Sequence, residues 1–317
     1  MGNSDWLDKE FLSRLKGITN NNQGVVDSFE CEKKPSIRIN TLVSNEDDCI
    51  KVLESNGCQL EKIAGLELAY RVLNKTKREL TDIDEYKNGW FYIQSLSSML
   101  PVGMLGEIPE NAFVLDMCSA PGSKTTQIAA VMNNDGKIIA NDSSRQRLYQ
   151  LASNLKQCGV TNTTTSLYRG EFLWKKYGPV FDVVLLDAPC SGEGRFKLSD
   201  EKTYLDWSIK KVERLSFLQK QLIFGAVMCL KSGGVLMYST CTFSPEENEE
   251  VVDFALEKFD GAIEVEDIDL ESCVNIPIVN GMSNWKENNY DKSTEKTIRV
   301  MPNDVWDGFY IAKMRRM

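Results

Sequence analysis

From about residue 110 onward, short apolar runs alternate with longer amphipathic stretches, and this order restricts the fold more than any other feature. "AFVLDM" (112–117), "GKIIAND" (136–142), "FDVVLLD" (181–187) and "GVLMYST" (234–240) read as strands. Helices are expected over Gly122–Met132, Ser144–Gln157, Ile209–Leu230 and Glu246–Lys258, the last with Pro245 at its first turn. A strand apolar on both faces, such as 181–187, belongs in the middle of a parallel sheet. "KTIRVMP" (296–302) and "GFYIAKM" (308–314) read as an antiparallel hairpin. The expectation is an α/β fold: a doubly wound, mostly parallel sheet with an antiparallel C-terminal edge. The first third is less regular. "KPSIRINTL" (34–42) alternates like a strand, and Glu46–Asn56 reads as a helix ended by Gly57. A small α+β domain over 1–105 and a larger one over 106–317 follow.

In a sheet of this kind, ligands sit beyond the carboxyl ends of the strands. Asp116 ends the first strand, and "CSAPGSKTTQ" (118–127) leads into a helix whose first amides can face an anion. Twenty residues after Gly122, Asp142 ends the second strand, where an acid can take ribose hydroxyls. GxGxxG and GxxxxGK[ST] are both missing, which disfavours a dinucleotide or a P-loop nucleotide. A nucleoside cofactor without pyrophosphate, such as S-adenosylmethionine, suits the short loop. The alternative is that Asp116 caps the loop and Asp142 caps the next helix.

The chain contains no histidine, so Ser-His-Asp triads, Cys-His dyads and HExxH metal sites are excluded. Its nine cysteines include no CxxC pair, the closest two being Cys49 and Cys58, so a zinc site is not expected. An odd count and a polar, acidic start point to free thiols in a reducing cytoplasm. No apolar run approaches the roughly 18 residues of a membrane span. The net charge of −9 is uneven. Residues 246–271 hold twelve acids and one base, and the rest of the chain carries +2. The acidity is therefore no argument against a polyanionic partner, and that face is expected to point away from one.

Two cysteines fall at strand ends on the ligand side of the sheet. "LLDAPCSGEGRF" (185–196) places Asp187, Pro189 and Cys190 there, and "YSTCTFSPEENE" (238–249) places Cys241. A cysteine taken alone is more often a small buried hydrophobe than a nucleophile. Together with DMCSAPGSKTTQ, "SIRINTL", "GWFYIQSLSSMLP" (89–101), "PEENEEVV" (245–252) and "DGFYIAKMRR" (307–316), these segments resemble the S-adenosylmethionine-dependent RNA cytosine-5 methyltransferases. The resemblance runs from about residue 11 to the C-terminus. It is strongest to the bacterial branch that modifies small-subunit ribosomal RNA. The PCQ motif of DNA cytosine methyltransferases is absent.

The resemblance implies a Rossmann-like class I methyltransferase domain and a set of roles. Cys241 would add to C6 of cytosine, turning C5 into an enamine carbon that can accept a methyl group. Cys190 would assist proton removal and release of the adduct, and Asp187 would bond the N3 and amine edge of the base. Cys118, Ser119, Ala120, Pro121, Gly122, Ser123 and Lys124 would form the cofactor loop, with Asp142 on the ribose and Asp187 also near the cofactor. Lys124, a cation opposing its helix dipole, would also lie near the target base. Arg169 stands where relatives often carry an acid on the adenine side, and Asn303 where they often carry histidine. RNA is the implied partner, ribosomal before transfer RNA, with neither DNA nor a membrane, and the protein is expected to be a monomer. Arg38 and Asn40 resemble the RNA-side motif; the segment Arg195–Lys220 and the tail Lys313, Arg315 and Arg316 are candidates for phosphate contact. A catalytically silent RNA-binding or assembly factor on the same fold is the competing reading; the absent glycine fingerprint disfavours a nicotinamide oxidoreductase.

Overall fold

The structure, a computed structural model, describes residues 9–270 and 275–317. The polar start (1–8), Glu271 at the end of the acidic stretch and Cys273 lie outside the described residues. Helices α1 (Lys9–Ile18) and α2 (Gln23–Asp27) lead into an antiparallel sheet. Its strands are β1 (Ser36–Ile39), β2 (Leu60–Lys62), β3 (Ala69–Val72) and β4 (Phe91–Ile93), in the order β2-β3-β1-β4. The first of these is shorter than the expected 34–42, and all four of its residues are buried. Between β1 and β2 lies α3 (Glu46–Ser55). Asn45 caps it by accepting from the Asp48 N–H, and three acids in its first turn complement the helix dipole. Helices α4 (Lys77–Asp82) and α5 (Asp84–Lys87) precede β4, and α6 (Leu96–Gly103) follows it. Thr76 and Glu79 form a reciprocal capping box at the start of α4.

The second sheet holds β5 (Phe113–Asp116), β6 (Lys137–Asp142), β7 (Thr163–Leu167), β8 (Phe181–Asp187) and β9 (Leu230–Thr240), all parallel. Helices α7 (Ser123–Val131), α8 (Arg145–Gln157), α9 (Leu173–Tyr177), α10 (Ile209–Cys229) and α11 (Glu249–Phe259) connect or follow them. Short strands β10 (Ile263–Glu266), β11 (Ile278–Asn280), β12 (Asn284–Trp285) and β13 (Asn288–Asn289) precede β14 (Ile298–Val300) and β15 (Phe309–Arg316). The sheet order is β11-β14-β15-β9-β8-β5-β6-β7, with β10 paired to β15. The expected hairpin is present as β14 and β15, paired antiparallel, and β15 runs antiparallel beside β9. The strand order reverses between β5 and β8, which is where such sheets open a crevice.

Two boundaries differ from expectation for visible reasons. Strand β9 begins at Leu230 rather than Gly234, because buried Leu230 already pairs with Phe181 and a register irregularity absorbs the residues that follow. The helix expected over 246–258 is split into a 3-10 turn (Pro245–Glu247) and α11. Asn248, between them, bonds Thr242 O at 3.0 Å through its Nδ2 and accepts from the Thr240 hydroxyl at 2.5 Å. Its side chain is committed to the end of β9, and the helix cannot run through it.

The apolar cores span both sheets' neighbourhoods. Leu96, Met99, Leu100 and Val102 of α6 pack with Val114, Ile128 and Met237. Phe11 and Leu15 of α1, with Phe29, pack with Phe196 and Phe243 beside the cysteine strands. At about 25 cal/mol per Å² of buried apolar surface, each such aromatic contributes a few kcal/mol to holding the ends of the first third against the larger sheet.

Candidate active site

The carboxyl ends of β5, β6, β8 and β9 line one cavity of about 940 Å³. Its walls include Cys118, Ala120, Pro121, Ser123, Lys124, Asp142, Asp187, Cys190 and Cys241 of the residues expected from sequence; Ser119 and Gly122 shape the loop without lining the cavity. The loop after β5 is held in shape by its own polar groups. Ser119 donates both its N–H and its hydroxyl to Asn141 O at 2.8 Å. Gly122 opens α7 with φ +110, and a Cβ there would lie 2.8 Å from Leu151, so the position requires glycine. The Ala120–Pro121 peptide is cis. Asp116 accepts from the Thr125 hydroxyl at 2.6 Å, and burial raises its carboxyl to about 7.

Asp142 serves two purposes. Its Oδ1 accepts from the Ser144 N–H at 2.8 Å, while Ser144 itself caps α8. Its Oδ2 is buried without a hydrogen-bond partner, although Arg147 lies 3.1 Å away as an off-axis ion pair. A buried carboxylate oxygen lacking a donor on a cavity wall suits a ligand hydroxyl. Arg169, which stands where relatives often carry an acid, is paired with Glu171, whose carboxylate is buried and lines the same cavity. An acid thus stands at this wall two residues from where the motif places one.

At the other end, the two thiols are neighbours. Cys190 Sγ and Cys241 Sγ lie 3.2 Å apart, and the Cys241 N–H points at Cys190 Sγ at 3.3 Å. Both thiols are free. The pair is electrically asymmetric. The hydrogen bond with Cys190 holds the Cys241 thiol below its usual range; burial opposes this, and Arg195 adds the largest favourable charge. The same hydrogen bond and burial push Cys190 far up. Of the two, Cys241 is therefore the thiol that ionises more readily. Arg195 lines the cavity and makes no ion pair among the described residues, so its charge is available to the thiols.

Lys124 is not the solvated first-turn lysine of a purely structural reading. It is buried, and its Nζ donates to Ser98 Oγ and Asp187 Oδ2 at 2.8 Å each, lying 5.3 Å above the Phe309 ring. Asp187 also accepts from the Ser239 hydroxyl at 2.9 Å. Its orientation is thus set from two elements, α7 and β9. Ser98, Ser239, Arg195 and Phe309 stand inside motifs the sequence displayed, but only folding shows that they meet.

Three expectations about RNA contact are corrected. Arg38 and Asn40 are buried, not presented to a partner. Arg38 donates to Gln94 and Thr126, and Asn40 donates to the carbonyls of Gly89 and Cys158, tying the first sheet to α7 and to the end of α8. The tail fails for geometric reasons. Arg315 lies opposite Val235, five residues and about 17 Å before the site end of β9. Lys313 and Arg315 pair with Glu266, and Arg316 caps carbonyls of Val227 and Leu230. Within Arg195–Lys220, Lys211 and Lys220 are taken by Asp206 and Glu250, while Arg195 and Lys197 line the cavity. Nor is the acidic stretch a uniform outer face, since Glu247 and Glu249 are buried and Arg14 pairs with Glu246.

A family model described as 16S rRNA methyltransferase RsmB/F matches residues 104–315. A protein of Pyrococcus abyssi named tRNA (cytosine(49)-C(5))-methyltransferase is 42% identical over 89% of this chain and 88% of its own length. The ribosomal RNA small subunit methyltransferase F of Vibrio parahaemolyticus is 36% identical over 98% of this chain and 63% of its own. The chain thus spans less than two thirds of that bacterial relative. Among solved structures, a methyltransferase homolog from Pyrococcus horikoshii matches with a TM-score of 0.83 at 28% identity, covering 98% of this chain and 95% of that one. With the site at the switch of a class I methyltransferase sheet and the family model covering most of the chain, this protein belongs to the 16S rRNA methyltransferase RsmB/F family.

Proposed function

We propose that the protein transfers a methyl group from S-adenosylmethionine to C5 of a cytosine in RNA, with small-subunit ribosomal RNA as substrate. The observation that carries this reading is the Cys190–Cys241 contact beside the Lys124–Asp187 pair at one cavity wall. The orphaned Asp142 oxygen and the glycine-dependent loop at 118–124 fit a nucleoside cofactor at the other wall. When bound, that cofactor supplies an electrophilic methyl group on a sulfonium. The loop Cys118–Lys124 would bind it, and Asp142 would hold its ribose hydroxyls. Residues 1–105 would serve the RNA side and 106–317 the methyl transfer.

The chain's residues then act on the base. Cys241 Sγ, as thiolate, forms a bond to C6, and the displaced electron pair makes C5 nucleophilic. Asp187, held by Lys124 and Ser239, bonds the N3 and amine edge where charge develops. After methylation, the C5 proton is removed with the aid of Cys190 and the C6–S bond breaks, returning Cys241 as thiolate. The cytosine must be flipped out to reach these groups, a cost of a few kcal/mol. Arg195 and Lys197 at the cavity are placed to offset it through phosphate contacts.

With labelled cofactor and a cytosine-containing RNA, Cys241→Ala should abolish transfer, whereas Cys190→Ala should accumulate a covalent protein–RNA adduct visible on a denaturing gel. Full transfer by Cys241→Ala would overturn the mechanism. The intact thiol pair argues against a silent assembly factor. A transfer RNA substrate is the second reading, favoured by the archaeal relative, which matches this chain nearly end to end. Bisulfite sequencing of both RNA classes from a deletion strain separates the two.

A further inference from the structure

Two buried carboxylates beside the thiols take no part in the chemistry above. Glu193 follows Cys190 by three residues and Glu247 follows Cys241 by six; they are 1% and 0% exposed. Each reaches across to the other's loop. Glu193 Oε2 accepts from the N–H groups of Phe243 and Ser244 at 2.9 Å and from the Thr242 hydroxyl at 2.8 Å. Its Oε1 accepts from the Ser244 hydroxyl at 2.7 Å and the Trp207 indole at 2.8 Å. In the opposite direction, Glu247 Oε2 accepts from the Ser191 N–H and from Gln219 at 2.9 Å, and Gln219 also donates to Pro189 O at 2.8 Å. The Ser191 and Thr242 hydroxyls meet between them at 2.7 Å. The residues flanking each cysteine are therefore fixed by a carboxylate from the other cysteine's segment.

We propose that Glu193 and Glu247 are positioning residues forming a reciprocal clasp between the two thiol loops, which sets the separation of Cys190 and Cys241. This rests on the reading of the thiols given above. The two acids meet different surroundings. Five donors converge on Glu193, so both of its oxygens are used as acceptors. Glu247 faces Glu193 and Cys190; the Tyr238 hydroxyl donates to its backbone carbonyl, and α10 presents neutral Gln219 to it. Burial first, then the charge of Glu193, pushes its carboxyl up to about 8, so near neutrality it carries a proton. Its Oε1 is 3.5 Å from Thr242 Oγ1. A glutamine at 247 can reproduce both the accepting and the donating side. A glutamine at 193 cannot, because its amide nitrogen would face donors.

The test uses Glu193→Gln, Glu247→Gln and Glu247→Ala, with cofactor binding as the check on folding. One readout is kcat and KM for RNA across pH. The other needs no RNA: the rate at which diamide closes a Cys190–Cys241 disulfide, two thiol protons and two electrons passing to its N=N bond. Glu193→Gln should lower kcat by about 10²-fold, as a misplacement near 1 Å does, with KM unchanged, and should slow disulfide closure. Glu247→Ala should lose activity, and Glu247→Gln should restore it and keep it above about pH 8, where the wild type declines as Glu247 ionises. Wild-type closure rates in Glu193→Gln, or a Glu247→Gln alkaline limb that coincides with wild type, would overturn the clasp. If the wild-type protein methylates no RNA, the functional reading fails while the diamide rates still decide the clasp.

Discussion

At the residue scale, the chain assigns different work to two chemically identical thiols through their surroundings. Cys241 receives the hydrogen bond of Cys190 and lies in the field of Arg195; Cys190 gives that hydrogen bond and meets burial. The consequence can be measured without RNA. Removing the guanidinium by Arg195→Ala takes away a cation that favours the thiolate, so the Cys241 pKa rises. The pH at which Cys241 becomes alkylated by iodoacetamide should move upward, and Arg195→Lys should keep most of the wild-type profile. An unchanged profile in Arg195→Ala would show that the Cys190 hydrogen bond alone sets the thiolate. The residue types were legible in the sequence, because PCSG and TCT stand in plain view. The asymmetry was not, since it depends on a contact between the two thiols and on an arginine whose distance from each only the fold determines.

At the element scale, strands deliver the reactive groups and close backbone approaches fix them. The turn at Glu193–Arg195 is pinned on both sides: the Gly194 N–H donates to Cys241 O at 2.9 Å, and Gly194 O accepts from the Gly308 N–H at 2.9 Å. A Cβ at Gly194 would lie 2.1 Å from Gly308 O, which leaves no room for alanine. Gly194→Ala should therefore cost roughly 1–3 kcal/mol in unfolding free energy, by analogy with overpacked cores. It should lower kcat more than this destabilisation accounts for, because the displaced turn carries Arg195 and holds Cys241. Chemical denaturation and kinetics on the same preparation test both parts. The central strands of the larger sheet and its β14–β15 hairpin were readable because apolar runs and helix caps recur at regular intervals, whereas the largely exposed β7 was not. In the first third only β1 showed itself, within 34–42; β2, β3 and β4 did not, because periodicity has too little length there to declare itself.

At the scale of the whole molecule, the first sheet is bound to helices of the larger domain by buried polar groups that look, in sequence, like ligands. Asn40→Ala leaves the carbonyls of Gly89 and Cys158 without their donor and should cost about 2 kcal/mol. The RNA affinity of the folded variant should be unchanged, whereas loss of a direct RNA contact weakens binding. Weakened binding by folded Asn40→Ala would reinstate the RNA-side role that burial denies. What the sequence determined by itself was local and periodic: the alternation that builds a doubly wound sheet, the glycine that opens α7, and the chemistry available to a chain without histidine. Which cations remain free, which acids are buried, and which thiol ionises were decided by tertiary structure alone. Those properties arise from desolvation and from Coulomb interactions between residues tens of positions apart, and these exist only once the chain has closed on itself.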